Sequence, residues 1–343
     1  MKNLLICGGA GYIGSHCARM LRDAGYNCII FDNMSEGHRE AVPGFALVEG
    51  ELADTALLRK TIEKHNVDSV LHFAAFALVG VSMRNPIEYY QNNIGGTASL
   101  LEAMRETGIS RIVFSSTCAT YGEDVPVPIT EDVPQNPCNP YGESKLCVEM
   151  LLRRCDCAHG IKSVSLRYFN AAGAMPDGSA GEDHRLETHL IPLVLRAALR
   201  AGRGEPGAGV SENGESGDFR LKVFGIDYPT HDGSCVRDYI HVLDLAAAHL
   251  QALRYLEGGG GTDFFNLGTG AGSSVLEVIK MAREVTGVDI AYEIAARRQG
   301  DPPALVAAAA KAESALGWVP VQSDLRTIIT DAWAWHKSHP TGY

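Results

Sequence analysis

Apolar residues in the first half of the chain come in short runs of strand length, separated by longer stretches in which they recur with helical period. Residues 4–7, 27–31, 69–73, 111–115 and 162–167 form the short runs. The first of them, Leu4-Leu5-Ile6-Cys7, is apolar throughout. Helices are expected between them at 15–22, 55–64, 86–107 and 140–158. This alternation predicts an α/β protein with a parallel, doubly wound sheet and right-handed crossovers. Beyond about residue 170 the pattern loosens. Residues 171–190 are polar and glycine-rich, 191–200 read as a helix and 201–218 as an exposed loop. A strand at 221–224, an apolar stretch at 235–242, a helix at 243–256, a strand at 264–268 and a helix at 275–286 follow. The expected organisation is a domain at 1–170 and a smaller C-terminal lobe at 171–343. Elements near 235–270 are expected to return to the main domain.

The first strand runs into Gly8-Gly9-Ala10-Gly11-Tyr12-Ile13-Gly14, and a helical stretch follows. Strand, glycine turn and helix are the setting of a dinucleotide-binding fingerprint of Rossmann type. Glycines let the backbone turn tightly and approach a pyrophosphate resting on the helix N-terminus. The second strand ends at Asp32, eighteen residues after Gly14. A carboxylate there accepts hydrogen bonds from ribose hydroxyls and repels a 2′-phosphate. NAD is therefore expected over NADP, although His38 and Arg39 follow closely.

A second constellation is Tyr141-Gly142-Glu143-Ser144-Lys145. Residues four apart on a helix share a face. The Lys145 ammonium is thus expected beside the Tyr141 phenol, whose ordinary pKa is about 10, and is expected to lower it. A lowered phenol can take a proton from an alcohol. With a nicotinamide cofactor this is equipment for moving a hydride from a carbinol carbon.

Composition narrows the partners. The chain has 343 residues, 45% hydrophobic and 21% charged, with a net charge of −11 and no basic cluster. Nucleic acid and anionic membranes are not expected partners. No apolar run reaches the roughly 18 residues of a membrane span, and Met1-Lys2-Asn3 leads straight into the first strand without a secretory pattern. The nine cysteines lack a Cys-x-x-Cys pair, and the 12 histidines are dispersed. Reduced thiols in a cytoplasmic protein and no metal site are the expectation.

Longer motifs extend the picture: Leu71-His72-Phe73-Ala74-Ala75, Tyr89-Tyr90-Gln91-Asn92-Asn93, Ser115-Ser116-Thr117-Cys118-Ala119-Thr120-Tyr121-Gly122, Arg167-Tyr168-Phe169-Asn170, Arg237-Asp238-Tyr239-Ile240-His241-Val242, Asn266-Leu267-Gly268-Thr269-Gly270 and Arg297-Arg298-Gln299-Gly300-Asp301. With the glycine turn, Tyr141 and Lys145, they resemble the UDP-glucose 4-epimerases of the extended short-chain dehydrogenase/reductase superfamily, over essentially the whole chain.

The resemblance implies NAD-dependent 4-epimerisation of a UDP-hexose, catalysed by Tyr141, Lys145 and Thr117. It implies a cofactor site of Gly8, Gly11, Tyr12, Ile13, Gly14, Asp32, Asn33, Glu51, Leu52, Phe73, Ala74, Ala75, Asn92, Lys145 and Tyr168. For the UDP-sugar it implies Asn170, His189, Leu190, Phe224, Arg237, Arg298, Asp301 and Leu305. It further implies a homodimer formed through the helices at 86–107 and 140–158.

Several positions depart from the familiar pattern: Glu51 stands for an Asp, His189 for an Asn, Ala77 for a Lys and Ala308 for an Asp. Phe76-Ala77-Leu78-Val79-Gly80 resembles pentose-epimerising members, so UDP-xylose/UDP-arabinose is an alternative substrate pair. Dehydratase or decarboxylase relatives carry an acidic residue just after the catalytic Ser/Thr, whereas Cys118 and Ala119 follow Thr117 here. A non-catalytic dinucleotide sensor is disfavoured because Tyr141 and Lys145 are both present.

Overall fold

The computed structural model describes residues 1–123, 125–203, 221–298 and 301–343. Its strands are β1 (Asn3–Cys7), β2 (Asn27–Asp32), β3 (Ala46–Glu49), β4 (Ser69–His72), β5 (Arg111–Thr117), β6 (Lys162–Tyr168), β7 (Asn170–Ala172), β8 (Leu221–Phe224), β9 (Val236–Arg237), β10 (Tyr239–His241), β11 (Asp263–Leu267), β12 (Ser273–Ser274), β13 (Tyr292–Ala295) and β14 (Ala304–Leu305). Its α-helices are α1 (Tyr12–Asp23), α2 (Thr55–His65), α3 (Val79–Arg84), α4 (Pro86–Tyr89), α5 (Gly96–Thr107), α6 (Pro140–His159), α7 (Leu190–Gly202), α8 (Val242–Glu257), α9 (Val275–Thr286), α10 (Ala310–Leu316) and α11 (Leu325–Ser338).

Seven strands form one sheet in the order β11-β6-β5-β4-β1-β2-β3. Every neighbouring pair is parallel, as the apolar runs predicted. Buried Leu4, Ile6, Cys17, Leu21, Leu245 and Leu253 join one face of the sheet to α1 and α8. Leu5, Ile29, Leu58, Leu100, Met104 and Leu152 join the other face to α2, α5 and α6. A separate core of Ile191, Val194, Leu195, Val278, Ile279, Ile328 and Ile329 ties α7, α9 and α11 together. Strand order reverses between β1 and β4, so the crevice for a ligand opens at the carboxyl ends of these strands.

Helix ends follow local chemistry. Asn139 caps α6 by accepting from the Gly142 N–H at 2.9 Å, Pro140 occupies the first turn, and Gly160 at φ 70° ends the helix. The predicted helix at 86–107 is not uniform. Between α4 and α5, residues Tyr90–Gly95 widen into a π-type turn, and α3 precedes it unpredicted. Strand β3 and helices α10 and α11 also went unread. The predicted loop at 201–218 lies outside the described residues beyond Arg203, whereas 201–202 complete α7.

Candidate active site

The glycine turn sits at the carboxyl end of β1. Gly8 has φ +74°, and a Cβ there would lie 2.4 Å from the Ala74 nitrogen. On Gly14 a Cβ would lie 2.3 Å from the Gly8 oxygen. These two glycines are required by the fold itself. Gly11 differs, since its Cβ would meet nothing closer than the Gly8 oxygen at 3.4 Å. Gly11 also begins α1 without a side-chain cap. A bare helix N-terminus behind a small-residue turn fits a pyrophosphate.

Asp32 braces the same turn. Its two oxygens accept from the Ala10 N–H and the Met34 N–H, each at 2.9 Å. Burial raises its pKa, and these two bonds oppose the rise. Asn33 follows and donates to Glu51 at 3.0 Å. Both residues that left room for NADP are engaged elsewhere: Arg39 pairs with Glu49, and His38 contacts the Asp183 carbonyl oxygen at 2.9 Å. Tyr12 and Ile13 open α1, and the Tyr12 hydroxyl donates to the Gly173 carbonyl at 2.7 Å. Leu52 follows β3, while Phe73, Ala74 and Ala75 follow β4. Residues expected at the cofactor thus gather along one edge of the sheet. Their chemistry fits a dinucleotide with a free ribose 2′-hydroxyl.

Thr117 ends β5, Tyr168 ends β6, and Tyr141 and Lys145 occupy the first turns of α6. The Thr117 side chain is near enough to the Tyr141 phenol to lower its pKa. Lys145 is buried; its Nζ donates to the Ser115 carbonyl at 2.8 Å and lies 5.9 Å from the centre of the Tyr141 ring. Tyr168 is hydrogen-bonded to Ser115.

The expected electrostatics need a correction. Burial raises the Tyr141 phenol, and the Thr117 side chain offsets only part of this. Burial lowers Lys145 to about 7, with Glu149 acting in the opposite sense. Sequence spacing brought the pair together, but burial is the largest cause of the shift in each.

The lobe residues converge from several segments. Arg237 on β9 pairs with Asp301, not with its neighbour Asp238. Asp238 instead receives the Thr269, Gly270 and Ala307 N–H groups. Leu305 stands opposite Arg237 in the β9–β14 register. The Arg298 guanidinium lies 4.0 Å from the centre of the Phe224 ring, at the end of β8. The charge of Arg237 reaches Cys118, beside Thr117. Asn170 begins β7, its N–H donating to the Asp238 carbonyl at 3.0 Å. His189 caps α7, and Leu190 begins it and packs against the core that also holds Ala172 of β7 and Val223 of β8.

Sequence reasoning missed supporting residues. It named Asn92, yet Asn93 is the buried one. Asn93 accepts from the Phe76 N–H at 2.8 Å and donates to the Phe76 carbonyl and to Ser144, clamping the loop after β4 to α6. Two adjacent asparagines gave no signal as to which faces inward, because the wide turn changes the helical phase. Glu149 and Arg167 form a buried ion pair at 2.6 Å, joined by Ser116 and Tyr121. Glu149 lies on α6 and Arg167 on β6, a pairing that local spacing does not encode. Glu182, His184, Glu187 and His189 also meet in one cluster.

Fold and site together define a dinucleotide-binding α/β protein with a threonine, tyrosine and lysine at the crevice. The model of the NAD dependent epimerase/dehydratase family matches residues 4–268, and the chain belongs to that family. It is 49% identical over 340 residues to the UDP-glucose 4-epimerase of Halalkalibacterium halodurans, covering 99% of this chain and 97% of the relative. A crystal structure of a UDP-glucose 4-epimerase superposes with a TM-score of 0.93 at 48% identity, covering 100% and 99% of the two chains. The enzyme from Brucella ovis in complex with NAD superposes with a TM-score of 0.90 at 47% identity, covering 97% and 98%. No helix among the described residues is long and apolar enough to cross a membrane.

Proposed function

We propose that this protein is an isomerase that interconverts UDP-glucose and UDP-galactose by NAD-dependent epimerisation at C4′. The reading is carried by one arrangement: Thr117 at the end of β5, Tyr141 in the first turn of α6 and Lys145 one turn further along, with the Lys145 Nζ 5.9 Å from the centre of the Tyr141 ring. Tyr141 takes the proton of the sugar 4′-hydroxyl and later returns it. Thr117 bridges the sugar oxygen and the phenol. Lys145 holds the ribose of the cofactor and steadies the phenolate. NAD, when bound by the glycine turn, Asp32 and Asn33, supplies reversible hydride acceptance at C4′. The other cofactor contacts fall to Tyr12, Ile13, Glu51, Leu52, Phe73, Ala74, Ala75, Asn92 and Tyr168.

Arg237, Arg298 and Asp301 grip the diphosphate and ribose of UDP, with Phe224 beside the uracil. A guanidinium suits this task through its planar fork of donors. Asn170, His189 and Leu190 complete the nucleotide pocket, and Leu305 lines the sugar. Tight binding of the UDP part retains the 4-keto sugar while it turns over. A lyase reading lacks its second proton carrier, since burial pushes the neighbouring Cys118 thiol up to about 12.

The division of labour is a dinucleotide domain at 1–170 and a UDP-sugar lobe at 171–343, with β10, α8 and β11 packed back on the former. The setting is cytoplasmic, in keeping with nine free cysteines. The protein pairs as a homodimer through the segments at 86–107 and 140–158, which expose Ile87 and Met150.

Incubation with UDP-galactose and no added cofactor tests the reading. Formation of UDP-glucose supports it. Release of a 4-keto sugar nucleotide indicates a lyase, and binding without turnover a sensor. Values of kcat/KM on UDP-glucose, UDP-galactose, UDP-xylose and UDP-GalNAc then define the sugar, and light scattering the oligomer.

A further inference from the structure

We propose that Glu182, His184, Glu187 and His189 form a binding site for a divalent transition-metal ion, at the shoulder of the dinucleotide turn. The four side chains come from one eight-residue stretch, Glu-x-His-x-x-Glu-x-His. Their donor atoms all lie within 4.8 Å of one another. Glu182 Oε1 is 3.2 Å from His184 Nε2 and 3.0 Å from His189 Nδ1, and Glu187 Oε1 is 2.8 Å from the same Nδ1. In a tetrahedral site with bonds of about 2.0–2.1 Å, ligand atoms stand roughly 3.3 Å apart. Three of the contacts, at 2.8–3.2 Å, lie just inside that spacing, and every pair lies within 4.8 Å.

A second observation points the same way. Glu187 is 3% exposed, and its Oε2 is buried with no hydrogen-bond partner. An unpaired, buried carboxylate oxygen is costly unless a cation answers it. Two carboxylates also balance one divalent charge without help from the histidines. Two imidazoles and two carboxylates form a borderline donor set suited to Zn²⁺ and Co²⁺ and poorly suited to Ca²⁺ or Mg²⁺. The carboxylates and imidazoles already face one another at 2.8–3.2 Å. A metal would take the place of the shared protons. The His184 ring meets Tyr12 edge-on at 6.4 Å, so an ion here would fasten the loop before α7 to the start of α1. This assignment does not depend on which sugar nucleotide the protein takes.

The test titrates the purified full-length protein with Co²⁺, followed by visible absorption, and with Zn²⁺ in competition. The expected result is saturable binding of one Co²⁺ per chain with a tetrahedral d–d band and no thiolate charge-transfer band. Glu187→Gln and His184→Ala should each weaken binding by at least roughly tenfold to a hundredfold, a loss typical of even supporting residues. Circular dichroism and thermal melting identify a variant that fails to fold. Glu187→Gln preserves shape and is the safer variant. The proposal is overturned by no saturable binding, by a thiolate band from the exposed cysteines, or by equal affinity in a folded Glu187→Gln protein.

Discussion

Two buried groups of ionisable side chains border the dinucleotide crevice, and they answer burial in opposite ways. At Thr117, Tyr141 and Lys145, desolvation prevails: the phenol rises and the ammonium falls to about 7. At Glu182, His184, Glu187 and His189, opposite charges face each other at about 3 Å and prevail over desolvation. The histidines rise and Glu182 falls, so these three keep their charges. The nearest carboxylate explains the difference. Glu149 lies one turn beyond Lys145, but its oxygens already receive Arg167, Ser116 and Gln135. The dyad is left without a counter-ion of its own, and ionisation there depends on what enters the crevice. A cluster balanced within itself suits holding, whereas an unbalanced one suits a proton that must move.

The largest effect should follow from breaking the unbalanced side. Tyr141→Phe removes the proton carrier and keeps the ring. A loss of about 10²–10⁴-fold in kcat is expected, the usual contribution of general acid–base catalysis. Bound cofactor, measured after denaturation of the protein, should be unchanged. Activity within a few-fold of the parent would remove the phenol from the chemistry.

Glu149→Gln strands the buried Arg167 guanidinium. Removal of one partner from a buried ion pair costs about 3–5 kcal/mol. Urea denaturation should report a loss of that order. A loss below about 1 kcal/mol would mean that water reaches the pair.

Lys145→Met sharpens the contrast through pH. The folded pKa of Lys145 is lowered to about 7 from 10.5. Below pH 7 the ammonium is charged in both states, and its burial cost is fully present. Between pH 7 and 10.5 the unfolded chain binds more protons, so stability rises with pH. Lys145→Met should abolish this rise. At pH 7 it should make the cofactor-stripped protein more stable by about 1–4 kcal/mol, as apolar replacement of buried charge often does. A variant less stable than the parent at pH 7 would refute the sign.

The balanced cluster should give a slope of the other sign and smaller size. His184 and His189 have folded pKa values raised above 6.5. Their contribution is complete below pH 6.5 and is lost as pH climbs through the raised values. Water reaches two-fifths of the His189 side chain, so the effect should stay within about 1 kcal/mol. Glu187→Gln should flatten it, which melts compared between pH 6 and 9 can detect.

The parallel sheet was legible because strands alternated with helices along the first half of the chain, and β1 is apolar at four of its five positions. Strand β3 did not show, since Ala46 and Glu49 are exposed and only Leu47 and Val48 read as strand. Among site residues, the glycines, Asp32, Tyr141 and Lys145 were legible from spacing alone, because turn geometry and helical phase fix what they touch. The lobe residues were read only through resemblance. Arg237 and Asp301 meet through the pairing of β9 with β14, a long-range contact that no local pattern encodes. The cluster at 182–189 escaped for a different reason: it lies in a stretch without helical or strand period, where spacing carries no geometry.

The wide turn at Tyr90–Gly95 acts as a phase shifter. On its near side Tyr90 is bonded to Glu143 of α6. On its far side Thr97 meets His72 of β4 at 2.8 Å. Deleting one residue between them would let the helix close with ordinary bonds, yet would rotate one half against the other by about 100°. Tyr90 and Thr97 could then no longer keep both appointments. The chain gives up regularity along one turn so that a single rod can face two neighbours at once.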